Sequence, residues 1–119
     1  MSLIANVLTA LVALIHVYIV LLETVLFRQR GPKVFGFTPD KVEVLATAMS
    51  NQGFYNGFLV VALALGLFLP DPAQAAALRA FGLGCVCAAG IYGAMTVSRR
   101  IFFVQTVPAA LALAVWLAV

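Results

Sequence analysis

Few side chains in this sequence can do chemistry, and they sit among many that cannot. Glu23 is the one acid inside a long apolar run, and His16 precedes it by seven residues, about 20° from coincidence on a helical wheel. Thr9 extends the same face. A carboxylate and an imidazole on one stripe could exchange a proton or orient a ligand; alternatively Glu23 forms a structural ion pair with Arg99 or Arg100, and His16 is a hydrogen-bonded structural group. A second group is Asn51, Gln52, Tyr55 and Asn56. Gln52, Tyr55 and Asn56 stand at i, i+3 and i+4, so on a helix they form one patch with Asn51 at its flank, suited to ligand contact or to interhelical hydrogen bonding. Tyr92, Thr96 and Gln105 add polar groups further along. A transition metal would want three or four ligands, and only neutral amides and phenols accompany His16 and Glu23, so neither a metal nor a resident cofactor is expected. Cys85 and Cys87 point about 200° apart on a helix and read as packing residues. There is no Walker loop, Ser-His-Asp set or CxxC pair.

The elements that position these groups follow from composition. Of 119 residues, 65% are hydrophobic and 9% charged, with a mean hydropathy of +1.13. That excludes a water-soluble domain, a disordered tail and a coiled coil, and two cysteines make no disulfide scaffold. Seven Lys and Arg against four Asp and Glu lie between apolar runs and form no tract or helical stripe, which argues against nucleic acid and for membrane topology. The expected fold is all-α, a polytopic membrane four-helix bundle forming a single integral membrane domain over residues 1–119.

The first span covers about residues 3–27, long enough for the roughly 30 Å hydrocarbon core. It lacks the basic start and small-x-small exit of a cleaved signal peptide, so it is expected to be retained. Arg28 to Phe37 is a polar, helix-breaking connection holding Gly31-Pro32. Thr38-Pro39-Asp40 then supplies an N-cap, a proline at N1 and an acid in the first turn of a second span, 39–69. Pro70-Asp71-Pro72 repeats the device for a third span, 72–97, and Ser98-Arg99-Arg100 turns the chain into a fourth, 101–119, whose Pro108 weakens the boundary. Arg28, Arg30, Lys33, Lys41, Arg99 and Arg100 fall at one end and Arg79 at the other. The positive-inside rule makes the first end cytoplasmic, puts both termini outside, and leaves Trp116 near the outer interface.

Counting about 1.5 Å per residue from the cytoplasmic ends, His16 and Gln52 lie roughly 15 Å deep and Glu23, Tyr92 and Gln105 roughly 6 to 9 Å deep. Hydrocarbon tolerates none of them cheaply, so they are expected to converge inward while the outer halves of the second and fourth spans stay apolar. Gly53-x-x-x-Gly57 interleaves the amide patch, and the small residues of the third span allow close packing. Val34-Phe35-Gly36-Phe37 reads as an interfacial anchor.

The stretches Leu22-Glu23-Thr24-Val25-Leu26-Phe27, Asn51-Gln52-Gly53-Phe54-Tyr55-Asn56-Gly57-Phe58-Leu59 and Val104-Gln105-Thr106-Val107-Pro108-Ala109 resemble the family of small bacterial membrane proteins catalogued as domain of unknown function 1304. The resemblance covers essentially the whole chain; it implies four helices and a bacterial inner-membrane location and brings no established activity. Ala48-x-x-Asn51 with Tyr55, and Tyr92 with Arg99 and Arg100, are more faintly similar to the membrane-associated eicosanoid and glutathione metabolism (MAPEG) family, although Thr47 and Phe54 stand where that family has arginine and glutamate. This second resemblance implies a trimeric, glutathione-dependent membrane enzyme.

The leading expectation is a polar pocket open to the cytoplasm that binds a small amphipathic or anionic ligand near Arg99 and Arg100. His16, Glu23, Asn51, Gln52, Tyr55, Asn56, Tyr92 and Gln105 are the further candidate contacts or proton-exchange groups. The alternatives are the glutathione-dependent enzyme, the one reading under which a cofactor, glutathione, is expected, a proton-coupled small transporter, and a structural or partner-binding bundle. The expected partners are the bilayer, the small ligand and further copies of the chain, as a dimer or trimer.

Overall fold

The structure is a computed structural model describing residues 3–119, and those residues form helices with no strand among them. In order they are α1 (Leu3–Glu23), α2 (Phe27–Phe35), α3 (Pro39–Phe68), α4 (Pro72–Thr96), the single turn α5 (Arg99–Ile101), a π-helical segment (Phe102–Thr106) and α6 (Val107–Ala118). Four stretches are long and apolar enough to cross a membrane: Leu3–Glu23, Pro39–Phe68, Pro72–Thr96 and Arg99–Ala118.

The capping signals act where the sequence places them. Thr38 Oγ1 accepts from the Lys41 amide at 3.3 Å ahead of α3, and Asp71 Oδ1 accepts from the Ala73 amide at 2.9 Å ahead of α4. Two expectations need correction. The first helix stops at Glu23 rather than Phe27, because the Thr24 hydroxyl donates to the Val20 carbonyl at 2.6 Å and the Leu26 amide reaches back five residues to Leu21 at 2.8 Å. The ladder loses its register there, and the chain turns. Residues 28–37, read as a helix-breaking connection, hold α2 instead. Phe27 is buried, and its ring centroid lies 6.0 Å from that of Phe35 and 6.4 Å from that of Phe37, so apolar contact outweighs the poor propensity of Gly31-Pro32. Gly36 ends α2 at φ 71, a left-handed conformation open to glycine at no steric cost.

The chain divides into two compact units, and α1 and α3 contribute residues to both. One comprises residues 3–15 and 59–119. Its core takes Val12 from α1, Leu63 from α3, Leu83 and Val86 from α4, and Ala109 and Ala112 from α6. Trp116 Nε1 donates to Thr9 Oγ1 at 2.8 Å, and the Thr9 hydroxyl donates to the Ala5 carbonyl at 2.8 Å, so a hydroxyl buried in an apolar span has both of its roles used. The Arg79 guanidinium lies 3.4 Å from the centre of the Trp116 ring and donates to the Gly66 carbonyl at 3.1 Å. These five residues come from α1, α3, α4 and α6.

Pro108 does not end the last span; the helix widens ahead of it. A proline in a regular helix clashes with the carbonyl four residues back, and the π-helical turn at Phe102–Thr106, closed by the Val107 amide on the Phe102 carbonyl, re-spaces the backbone just before the ring. Thr106 within this turn donates its hydroxyl to the Cys87 carbonyl at 2.9 Å. The second unit, residues 16–58, holds the end of α1, all of α2 and the first two thirds of α3.

Candidate functional site

In the second unit, Glu23 is the last residue of α1 and is 5% exposed. Its Oε2 accepts from Gln52 Nε2 at 2.9 Å and its Oε1 accepts from Asn56 Nδ2 at 2.7 Å. The two amides stand one turn apart on α3, so a single carboxylate reaches both without strain. Gly53 lies between them and is buried. A Cβ there would fall 2.7 Å from Thr24 Cγ2, 3.0 Å from Glu23 Cβ and 3.3 Å from the Val20 carbonyl oxygen, so only a residue without a side chain lets α3 approach α1 this closely. The Gln-Gly-x-x-Asn pattern from Gln52 to Asn56 is thus a carboxylate clamp in which Gly53 sets the helix spacing.

The other flank of α3 faces a cleft of about 260 Å³. Thr24, Phe27 and Arg28 form one wall, at the corner between α1 and α2; Ala46, Thr47, Ser50 and Asn51 form the other. The space is a groove about half open to its surroundings rather than an enclosed cavity. Its lining is mostly polar, with three hydroxyls, one amide and one guanidinium. Arg28 also pairs with Glu43, Nε to Oε2 at 2.8 Å and Nη2 to Oε1 at 3.4 Å, with both side chains exposed. The hydrogen bond first and the charge second hold the Arg28 guanidinium above its ordinary pKa.

Above the cleft on α3, Phe54, Tyr55 and Phe58 form an exposed aromatic ridge, with ring centroids 5.2 Å apart for Phe54 and Phe58 and 5.6 Å for Tyr55 and Phe58. On α2 and beyond, Arg30 lies 5.9 Å from the Tyr18 ring centre and Lys41 4.8 Å from that of Phe37.

The sequence candidates therefore fall into distinct places. Glu23, Gln52 and Asn56 come together; Asn51 lines the cleft; Tyr55 belongs to the ridge; His16 is fully buried on α1. The remaining four belong to the first unit. Tyr92 is exposed near the end of α4, its carbonyl accepting from the Thr96 hydroxyl at 2.7 Å. Arg99 and Arg100 are exposed on the turn capped by Ser98, whose hydroxyl accepts from the Arg100 amide at 3.3 Å, and Gln105 is half-buried in the π-helical turn. Among the described residues no group of three or more His, Cys, Asp or Glu could hold a metal ion.

Sequence reading missed Arg28 as a cleft residue, Glu43 as its partner, and Arg79 as the cation over Trp116. Sequence alone assigns Arg28 a topological role; the amphipathic pattern of Phe27, Gly31 and Phe35 is the signal that a helix carries it to α3.

Four stretches of this length and apolarity define a multi-pass α-helical membrane protein. The model of a family described as "Protein of unknown function (DUF1304)" matches residues 10–117, and the chain belongs to that family. No curated protein and no solved structure matches the chain.

Proposed function

We propose that this protein binds the polar head of a small amphipathic molecule in the cleft between the α1–α2 corner and α3, at the cytoplasmic face of the bacterial inner membrane. The observation that carries the reading is the cleft itself: about 260 Å³ lined by Thr24, Arg28, Thr47, Ser50 and Asn51, beside an exposed aromatic ridge on the same helix. Hydroxyls and an amide offer donors and acceptors to a head group, and Phe54 and Phe58 offer apolar surface to a tail. Arg28 takes the charge-recognition role that Arg99 and Arg100 held in the sequence reading, because it lines the cleft. The Glu23 clamp acts as the frame: it pins α1 to α3 one helix face away, so that the two walls keep their spacing. Arg28, Arg30, Lys33 and Lys41 flank the cleft in sequence, a local excess of cations that supports the cytoplasmic assignment.

The test is the content of lipid extracts from protein purified in mild detergent. Ser50 and Thr47 are exposed, so Ser50→Trp fills the cleft without disturbing the packed core. Wild-type protein is expected to carry a co-purifying amphiphile that Ser50→Trp has lost, with unchanged helical content by far-ultraviolet circular dichroism. The same complement on both proteins would remove the proposal.

A further inference from the structure

The cleft's charge is not that of a bare cation. Arg28 is bonded to Glu43 through two nitrogen–oxygen contacts of 2.8 and 3.4 Å, so the mouth of the cleft presents a neutral pair. A simple anion must displace Glu43 or approach against its charge, and a simple cation meets the same obstacle from Arg28. A group carrying both charges a few bonds apart meets neither, since its anion can lie on the guanidinium while its cation lies on the carboxylate. Glu43 also has the right place on α3. At about 100° per residue, Glu43, Thr47, Ser50, Asn51, Phe54 and Phe58 fall within an arc of about 100° on one side of the helix. Along the axis Glu43 precedes Ser50 by about 10 Å, and Phe58 follows Ser50 by about 12 Å. The order along this face is an ion pair, then hydroxyls and an amide, then aromatic rings.

Resting on the cleft reading above, we infer that the preferred ligand is zwitterionic: a phosphate-ester head bearing a primary ammonium, its phosphate on Arg28 and the Thr47 and Ser50 hydroxyls, its ammonium on Glu43. The primary amine matters because it brings three N–H donors to a carboxylate, whereas a quaternary ammonium brings none. The same chemistry exists in an ethanolamine phospholipid and in free phosphoethanolamine, and the aromatic ridge favours the lipid.

Native mass spectrometry of the detergent-purified full chain separates these possibilities. Phosphatidylethanolamine, phosphatidylglycerol and phosphatidylcholine are titrated at equal concentration, with and without free phosphoethanolamine as competitor. Wild-type protein is expected to favour the ethanolamine lipid over both others by about threefold, the scale of one exposed ion pair. Glu43→Gln frees Arg28 from its carboxylate, so the preference should turn toward phosphatidylglycerol while total binding persists. Competition by free phosphoethanolamine would support the zwitterion and assign the soluble head group as its source; a lipid preference that withstands the competitor supports it and assigns the lipid. Equal binding of all three lipids by wild type, removed by Ser50→Trp, would overturn the zwitterion but keep the cleft. Binding indifferent to Ser50→Trp would overturn the cleft reading beneath it.

Discussion

Replacing Gly53 by alanine adds one methyl group, and the packing around Gly53 dictates its consequence. Carbon atoms in contact ordinarily sit about 3.5–4.0 Å apart, yet the new Cβ would lie 2.7 Å from Thr24 Cγ2 and 3.0 Å from Glu23 Cβ. Thr24 cannot simply rotate away, because its hydroxyl is bonded to the Val20 carbonyl at 2.6 Å, and Glu23 Cβ is fixed to the helix backbone. The end of α1 must therefore retreat by roughly 0.5–1 Å. That movement carries the Glu23 bonds at 2.7 and 2.9 Å to the edge of hydrogen-bonding range. Overpacking costs about 1–3 kcal/mol and weakened bonds to a charged acceptor about 1–3 kcal/mol, while the better helix propensity of alanine returns about 1 kcal/mol. The net expectation is a loss of ~3 kcal/mol. Reversible unfolding in mixed micelles, followed by far-ultraviolet circular dichroism, measures it. Gly57→Ala is the control, because a Cβ there meets nothing within 4 Å, and it should be neutral or stabilising by up to about 1 kcal/mol. In a Glu23→Ala background the clash persists but the hydrogen bonds are already gone, so the Gly53→Ala penalty should shrink. Gly53→Ala and Gly57→Ala behaving alike would refute the reasoning.

The clamp also predicts coupling: in double-mutant cycles Glu23→Ala with Asn56→Ala, and Glu23→Ala with Gln52→Ala, should each show an interaction energy of about 1–2 kcal/mol, and additive losses would deny the shared carboxylate. In the first unit, Gly90→Ala places a Cβ 2.7 Å from the Thr106 backbone nitrogen and 3.0 Å from Gln105 Cβ. It should cost about 1–3 kcal/mol, against no loss for Gly84→Ala, where nothing lies within 4 Å. Trp116→Phe keeps a ring beneath Arg79 but removes the donor to Thr9, for a loss of about 1 kcal/mol in the same unfolding assay, and Trp116→Ala should cost more because it also removes the cation–π contact. Exposed ion pairs are weak and screened by salt, so Arg28→Gln should leave the unfolding midpoint unchanged in 1 M salt while altering lipid preference, and an equal loss of stability at all salt concentrations would contradict the exposed geometry.

Apolar run length and punctuation were enough to read four membrane-crossing stretches and the starts at Pro39 and Pro72, because hydrocarbon thickness and helix capping are local constraints that sequence expresses directly. The expense of burying Glu23, and the one-turn spacing of Gln52 and Asn56 around Gly53, marked those residues as a group for the same reason. Three things needed the fold. Periodicity along one helix cannot say which amide meets which oxygen, so the conversion of a suspected chamber into a closed carboxylate clamp came only with the packing of α1 against α3. Gly31-Pro32 looked like a break, and α2 exists because Phe27, Phe35 and Phe37 find one another in three dimensions, a gain that local propensity does not contain. That helix then brings Arg28 within 2.8 Å of Glu43, fifteen residues away in the chain, and a contact of that separation is decided by tertiary geometry because no spacing rule reaches it.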